Sequence, residues 1–172
     1  VVANLYPFRE TVARPDVTFA EAVEQIDIGG PSMLRAAAKN HADVVVLVDP
    51  EDYATTLEAL ARGMTPAERR DLALKAFAHT AAYDAAIVAY LSRDEELPRH
   101  LTVALERAEV LRYGENPHQS GARYREVGAT SIWDAAKLHS GLALSYLNLF
   151  DAEAAWRLAH DLAAHAPACV IV

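Results

Sequence analysis

A chain of 172 residues suits one ordinary domain or parts of two, and 52% apolar residues supply a core, which excludes a disordered tail. Sixteen Lys and Arg against 24 Asp and Glu leave a net charge of −8, which argues against a nucleic-acid footprint but permits a local pocket for a small anion. The single cysteine, Cys169, excludes a disulfide framework and a cysteine-rich zinc site and fits a reducing cytoplasm, and no apolar run reaches the ~18 residues of a membrane span.

The chain opens on VVANLYPF (1–8), apolar and β-branched, closed by Pro7; this predicts a buried strand. It does not begin with Met and reads like the middle of a sheet, so a fragment with an upstream part missing is expected. TFAEAVEQI (18–26) sets Thr18 three residues before Glu21, the spacing of a capping box, and continues at helical period. DVVVLVDP (43–50) is a second continuous apolar run, as in a parallel strand covered on both faces. A helix should follow from Asp49 or Glu51 to Ala61, stopped by Gly63. A long helix then runs from Thr65 and Pro66 to about Leu91, with a stripe including Leu72, Ala73, Ala76, Phe77, Ala81 and Leu91. Strand, helix, strand, helix is the grammar of an α/β sheet.

Near residue 95, SRDEELPRH (92–100) turns charged and proline-containing, a candidate join between two pieces, 1–95 and 96–172. LTVAL (101–105) alternates as a strand would. LRYGENPHQ (111–119), a tryptophan-containing connection, GLALSYLNLFD (141–151), a helix over 152–165 and a strand ACVIV follow, with Trp133 and Trp156 read as core. The seven histidines show no metal-ligand spacing, so no metal is expected.

QIDIGGPSMLRAAAKNH (25–41) carries more chemistry than a turn requires. With Gly30 as cap and Pro31 at the first helical position, the amides of Gly29, Gly30 and Ser32 would face outward at the positive end of a helix dipole. Lys39 would lie about 12 Å farther along the axis, with Arg35 one turn earlier and Asp27 just ahead of the turn. An acid, a cradle of amides and a lysine would then converge on one ligand. Tyr6 falls at the carboxyl end of the first predicted strand, where open α/β sheets bind ligands. The plain alternative is a conformational Gly-Gly-Pro turn with both cations in solvent.

NLYPF, EQIDIGGPSMLRAAAKNH, KAFAHTAAYDAAI and LRYGENPHQ, in this order, resemble the bifunctional family that combines IMP cyclohydrolase with AICAR transformylase. The resemblance covers nearly the whole chain. It implies the C-terminal half of a methylglyoxal-synthase-like parallel α/β sheet, followed by the start of a cytidine-deaminase-like transformylase domain. The implied chemistry is formylation of AICAR by 10-formyltetrahydrofolate, a cosubstrate, and dehydrative closure of formyl-AICAR to IMP. No tightly bound cofactor is implied.

By match to the family's motifs, Tyr6, Asp27 and Lys39 would be catalytic in ring closure, with Asn4, Ile28, Gly29 and Gly30 beside the nucleotide. Arg112, Tyr113, His118 and Asn148 would hold the transformylase substrate. Leu142 and Leu147 depart from the common pattern near Asn148, where a lysine and an asparagine are usual. The family's upstream phosphate loops and its downstream Lys-His motif are absent, so this stretch alone should catalyse neither step. The intact protein would be a cytoplasmic homodimer acting on nucleotides. The competing reading is a non-catalytic purine-nucleotide-binding module of the same fold.

Overall fold

The computed structural model describes residues 1–172 and divides into two compact units, Val1–Ala104 and Leu105–Val172. The division falls after the charged segment 92–100, some way past residue 95.

The first unit is helical around one short parallel contact. Helices α1 (Phe8–Val12), α2 (Phe19–Glu24) and α3 (Gly29–Lys39) precede a 3-10 turn at Pro50–Asp52, then α4 (Tyr53–Arg62) and α5 (Pro66–Leu91). Two of these starts are written in the local sequence. The Thr18 hydroxyl accepts the Glu21 amide while the Glu21 carboxylate accepts the Thr18 amide, and Thr65 and Glu68 repeat the arrangement ahead of α5. Each exchange satisfies two amides that a helix start leaves without partners. Helix α4 stops at Gly63, whose φ of 88° is open to glycine at little cost.

The core lies between α3 and α5. Leu34, Ala37 and Ala38 meet Ala73 and Ala76, with Val46 and Val48 beneath them and Ala3, Leu5 and Val44 at the margin. Alanines let the two helices approach closely, which explains one departure from the predicted stripe. Phe77 and Leu91 are exposed, and the buried face of α5 runs through Ala73, Ala76, Thr80, Ala82, Tyr83 and Ala85.

The two predicted parallel strands are reduced to a single parallel bridge between Val2 and Leu47. The Ala3 amide donates to the Leu47 carbonyl at 3.1 Å, and the Leu47 amide donates to the Val1 carbonyl at 2.9 Å. Beyond Ala3 the first segment leaves the pairing: the Tyr6 amide is directed to Asp27 Oδ2 and Phe8 begins α1, while Pro50 ends the second segment. Val1 and Val2 are exposed, so the opening segment is not the buried strand its composition predicts. Both segments nevertheless run in the same direction, and Tyr6 and Asp49 lie beyond their carboxyl ends.

The second unit centres on an antiparallel pair, β1 (Leu105–Leu111) and β2 (Gly121–Glu126), with a bulge between Arg107 and Glu109. Short α6 (Ile132–Ala135) and α7 (Tyr146–Ala163) follow. Strand β1 does not alternate apolar and polar residues, and in β2, where Ala122 and Tyr124 alternate with Arg123 and Arg125, it is the arginines that lie on the more covered face. Ion pairs accompany the backbone ladder: Arg125 pairs with Glu106 at 2.8 Å, and Arg123 reaches Glu109 at 3.7 Å and Asp134 of α6 at 2.9 Å. The amide of Ser131 and the Arg123 guanidinium hold the Asp134 carboxyl far below the usual carboxylate range.

Several sequence expectations fail from residue 101 onward. LTVAL is not a strand until its last residue, and ACVIV forms no strand, with Ile171 and Val172 exposed. Helix α7 starts at Tyr146 rather than 152, because Ser145 caps it. Trp156 is 53% exposed, and Trp133 is half-buried with its indole N–H donating to Glu153 at 3.2 Å, so neither is core.

Candidate functional site

In the first unit the site is organised by the Asp27 carboxylate. One oxygen accepts the Gly30 amide at 2.7 Å, and the other lies 3.4 Å from the Tyr6 amide. This corrects the expected cradle. The helix begins at Gly29, with Ile28 before it and Pro31 two residues inside. The Gly30 amide therefore does not face outward to a ligand; Asp27 already occupies it. The same carboxylate gives α3 the favourable anion that a helix N-terminus attracts. It also ties the end of the first extended segment to the start of that helix.

Gly30 is required by this closeness. A Cβ built on it would lie 2.5 Å from Asp27 Oδ2 and 2.7 Å from Leu5 Cδ2. Around the junction, Asn4, Tyr6, Ile28 and Gly29 are exposed and form its open side, with Ile28 75% exposed. An apolar side chain so exposed beside backbone amides provides a surface on which a planar ring can rest.

Lys39 is the last residue of α3, ten positions after Gly29, hence ~15 Å along the axis, and it is exposed. The structure brings Tyr6, Asp27 and Gly30 together and leaves Lys39 at the other end of the helix. Arg35 does not join them either: its guanidinium lies over the Phe77 ring at 5.6 Å.

One contributor escaped the sequence reading. Tyr83 of α5, 6% exposed, accepts the Asp27 amide at 2.9 Å and donates its hydroxyl to the Gln25 carbonyl at 2.8 Å. Burial raises its pKa against the opposing hydrogen bond from the Asp27 amide, so the hydroxyl stays protonated and can donate and accept at once. Nothing in its helical periodicity distinguishes Tyr83 from an ordinary core aromatic.

In the second unit the 112–120 loop is closed on itself by Gln119. The Gly114 amide donates to the Gln119 carbonyl at 2.8 Å, and the Asn116 amide donates to the Gln119 side-chain oxygen at 2.8 Å. The Arg112 amide donates to the Leu144 carbonyl at 2.9 Å, and the Tyr146 amide to the Tyr113 carbonyl at 3.1 Å. These two bonds hold Arg112 and Tyr113 beside the N-terminus of α7, where Asn148 stands. The Arg112 guanidinium lies 4.9 Å from the centre of the Tyr113 ring.

Asn148 is already occupied in part: its oxygen accepts from the Ser145 amide and hydroxyl, both at 3.0 Å, leaving its NH2 as the group able to donate to a ligand. His118 is exposed in the loop, and Leu142 and Leu147 are exposed near the start of α7. An apolar groove of about 820 Å³ lies in the same unit, with Leu111, Tyr124, Trp133, Tyr146, Phe150 and Trp156 in its walls.

These features define an α/β protein whose chemistry-bearing residues gather at the carboxyl ends of parallel segments and on a closed loop beside a helix start. The family model described as the AICARFT/IMPCHase bienzyme matches residues 37–172, and the chain belongs to that family. It is 52% identical over 179 aligned positions to the bifunctional purine biosynthesis protein PurH of Deinococcus radiodurans, covering 100% of this chain and 34% of that protein. To PurH of Chloroflexus aurantiacus it is 55% identical, covering 100% of this chain and 33% of that one. The crystal structure of ForH matches with 38% identity and a TM-score of 0.46, over 55% of this chain and 50% of that one. The chain thus spans about a third of the length of the curated relatives it matches. No helix is long and apolar enough to cross a membrane.

Proposed function

We propose that this chain carries, within the intact protein, part of an IMP cyclohydrolase site and the substrate side of an AICAR transformylase site. On this reading residues 1–95 belong to a methylglyoxal-synthase-like domain and residues 96–172 open a cytidine-deaminase-like one. The observation that carries it is the Asp27 carboxylate joining the Tyr6 segment to the Gly29–Gly30 helix start. Packing alone needs a cap there, but not a cap that also anchors an exposed tyrosine at the carboxyl end of a parallel segment.

Ring closure requires a substrate nitrogen to attack the formyl carbon, lose its proton, and release the former carbonyl oxygen as water. Asp27 is suited to take or return a proton, and Tyr6 and Lys39 to stabilise negative charge on that oxygen. Since Lys39 stands far along α3, its part in the reaction requires the substrate to extend along the helix. In the second unit, the Arg112 fork suits a phosphate or carbonyl, the Tyr113 ring offers a stacking face, and Asn148 and His118 supply further hydrogen bonds. The reading brings with it 10-formyltetrahydrofolate as cosubstrate, no tightly bound cofactor, and a cytoplasmic homodimer.

The test is cyclisation of formyl-AICAR by the protein at the length of its relatives. Lys39→Ala and Tyr6→Phe should each lower turnover; unchanged turnover in both sinks the cyclohydrolase assignment. Nucleotide binding with no turnover in the unsubstituted protein would favour the non-catalytic binding module instead.

A further inference from the structure

We infer that Tyr83 is a positioning residue for Asp27: its buried hydroxyl fixes the 25–27 turn, and thereby aims the carboxylate between Tyr6 and Gly30. This rests on the reading of Asp27 as the acid of the cyclohydrolase site. Tyr83 stands on α5, 56 residues along the chain from Asp27, and engages both sides of the turn at 2.9 and 2.8 Å. Its ring also meets the buried Phe8 edge-on, with centroids 6.1 Å apart. Phe8 follows Tyr6 by two residues, so one side chain braces the two segments that deliver Tyr6 and Asp27. A second tie from α5 reinforces this: the Arg9 guanidinium donates to the Ala82 carbonyl at 2.6 Å.

The arrangement has a chemical logic. The Asp27 side chain has two torsions, and its oxygens are set by the amides they accept. Those amides stay in place only while the turn's own backbone is held. The Asp27 N–H and Gln25 C=O are half-buried and need partners, which one hydroxyl supplies by accepting and donating together. Removing that hydroxyl leaves the ring packing intact but frees the turn, and small misplacements of a catalytic group cost rate steeply.

The experiment is Tyr83→Phe, alone and combined with Asp27→Ala, in the protein at the length of its relatives. Hydrogen exchange is read first. The Asp27 and Gly30 amides should exchange about tenfold faster in Tyr83→Phe, as expected for loss of ordinary hydrogen bonds, while amides of α4 keep their rates. Cyclisation kcat should fall about tenfold or more with KM little changed, and Tyr83→Phe should add nothing once Asp27 is alanine. Unaltered exchange at both amides overturns the inference whatever the activity. Faster exchange with losses that multiply in the double variant overturns it too, because Tyr83 would then act apart from Asp27. If Asp27→Ala alone leaves cyclisation intact, the assignment of Asp27 fails, and the exchange rates by themselves decide whether Tyr83 holds the turn.

Discussion

Replacing Gly30 by alanine tests the site's geometry while leaving the identity of every side chain that carries chemistry unchanged. Glycine inside a helix costs up to about 1 kcal/mol relative to alanine, so the local rule predicts stabilisation. The structure predicts the reverse, because the new Cβ would sit 2.5 Å from Asp27 Oδ2, 2.9 Å from Asp27 Cγ and 2.7 Å from Leu5 Cδ2. Two responses are open to the protein. Holding Asp27 in place costs about 1–3 kcal/mol of overpacking. Turning it away forfeits a charge-assisted hydrogen bond worth about 1.5–3 kcal/mol. Either route, less the propensity gain of up to about 1 kcal/mol, leaves a net loss of about 0–2 kcal/mol, and a wider gap to a variant that keeps that gain without the clash. Gly29→Ala is the internal control: a Cβ there meets nothing within 4 Å, so it should be neutral or slightly stabilising. Urea unfolding followed by far-UV circular dichroism reads helix in both units, and fluorescence of Trp133 and Trp156, which both lie in the second, tells that unit's transition apart from the first's. A Gly30→Ala protein as stable as Gly29→Ala would refute the placement of Asp27 against the helix start.

Further outcomes follow from the packing and the charges. Leu34 is fully buried between α3 and α5, and Leu34→Ala should cost about 2–5 kcal/mol in the same urea assay. Glu68, bound by the Arg62 side chain and by the Thr65 amide and hydroxyl, has its pKa lowered from 4.5 to about 2. Its folded pKa is depressed, so its contribution is complete above pH 4.5 and is lost as pH falls toward 2. Glu68→Gln keeps the capping geometry without the charge; the stability gap to the parent should therefore close across that window, and a gap independent of pH would contradict the pairing. Lys75 lies 2.7 Å from both Asp49 and Asp52, and its hydrogen bond is the chief reason that the Asp49 carboxyl titrates low. Lys75→Met should move that carboxyl up toward its ordinary value in a carbon-detected NMR titration, and no movement would remove Lys75 as the cause.

Features that depend on neighbours a few residues apart could be read from the amino-acid order alone. Thr18 with Glu21 and Thr65-Pro66 with Glu68 announce helix starts because a side chain and an amide one turn apart can reach each other in any context. Gly63 marks a stop for an equally local reason. The residues Tyr6, Asp27, Gly30, Arg112, Tyr113 and Asn148 were legible as candidates because their types and order carry a family's motifs. What they do to one another was not. That Asp27 caps Gly30 instead of leaving the amide to a ligand, and that Lys39 stands a helix length away, depends on where α3 begins. The strands β1 and β2 were hidden because they carry Glu106, Arg125, Glu109 and Arg123, which in one dimension read as solvated charge. Trp156 lies on the open side of its helix, a fact its apolar neighbours do not reveal. Tyr83 lies inside the motif KAFAHTAAYDAAI, but that motif does not say what its hydroxyl binds: its partners are 56 and 58 residues away, and only tertiary packing brings a hydroxyl on α5 to the turn that holds Asp27.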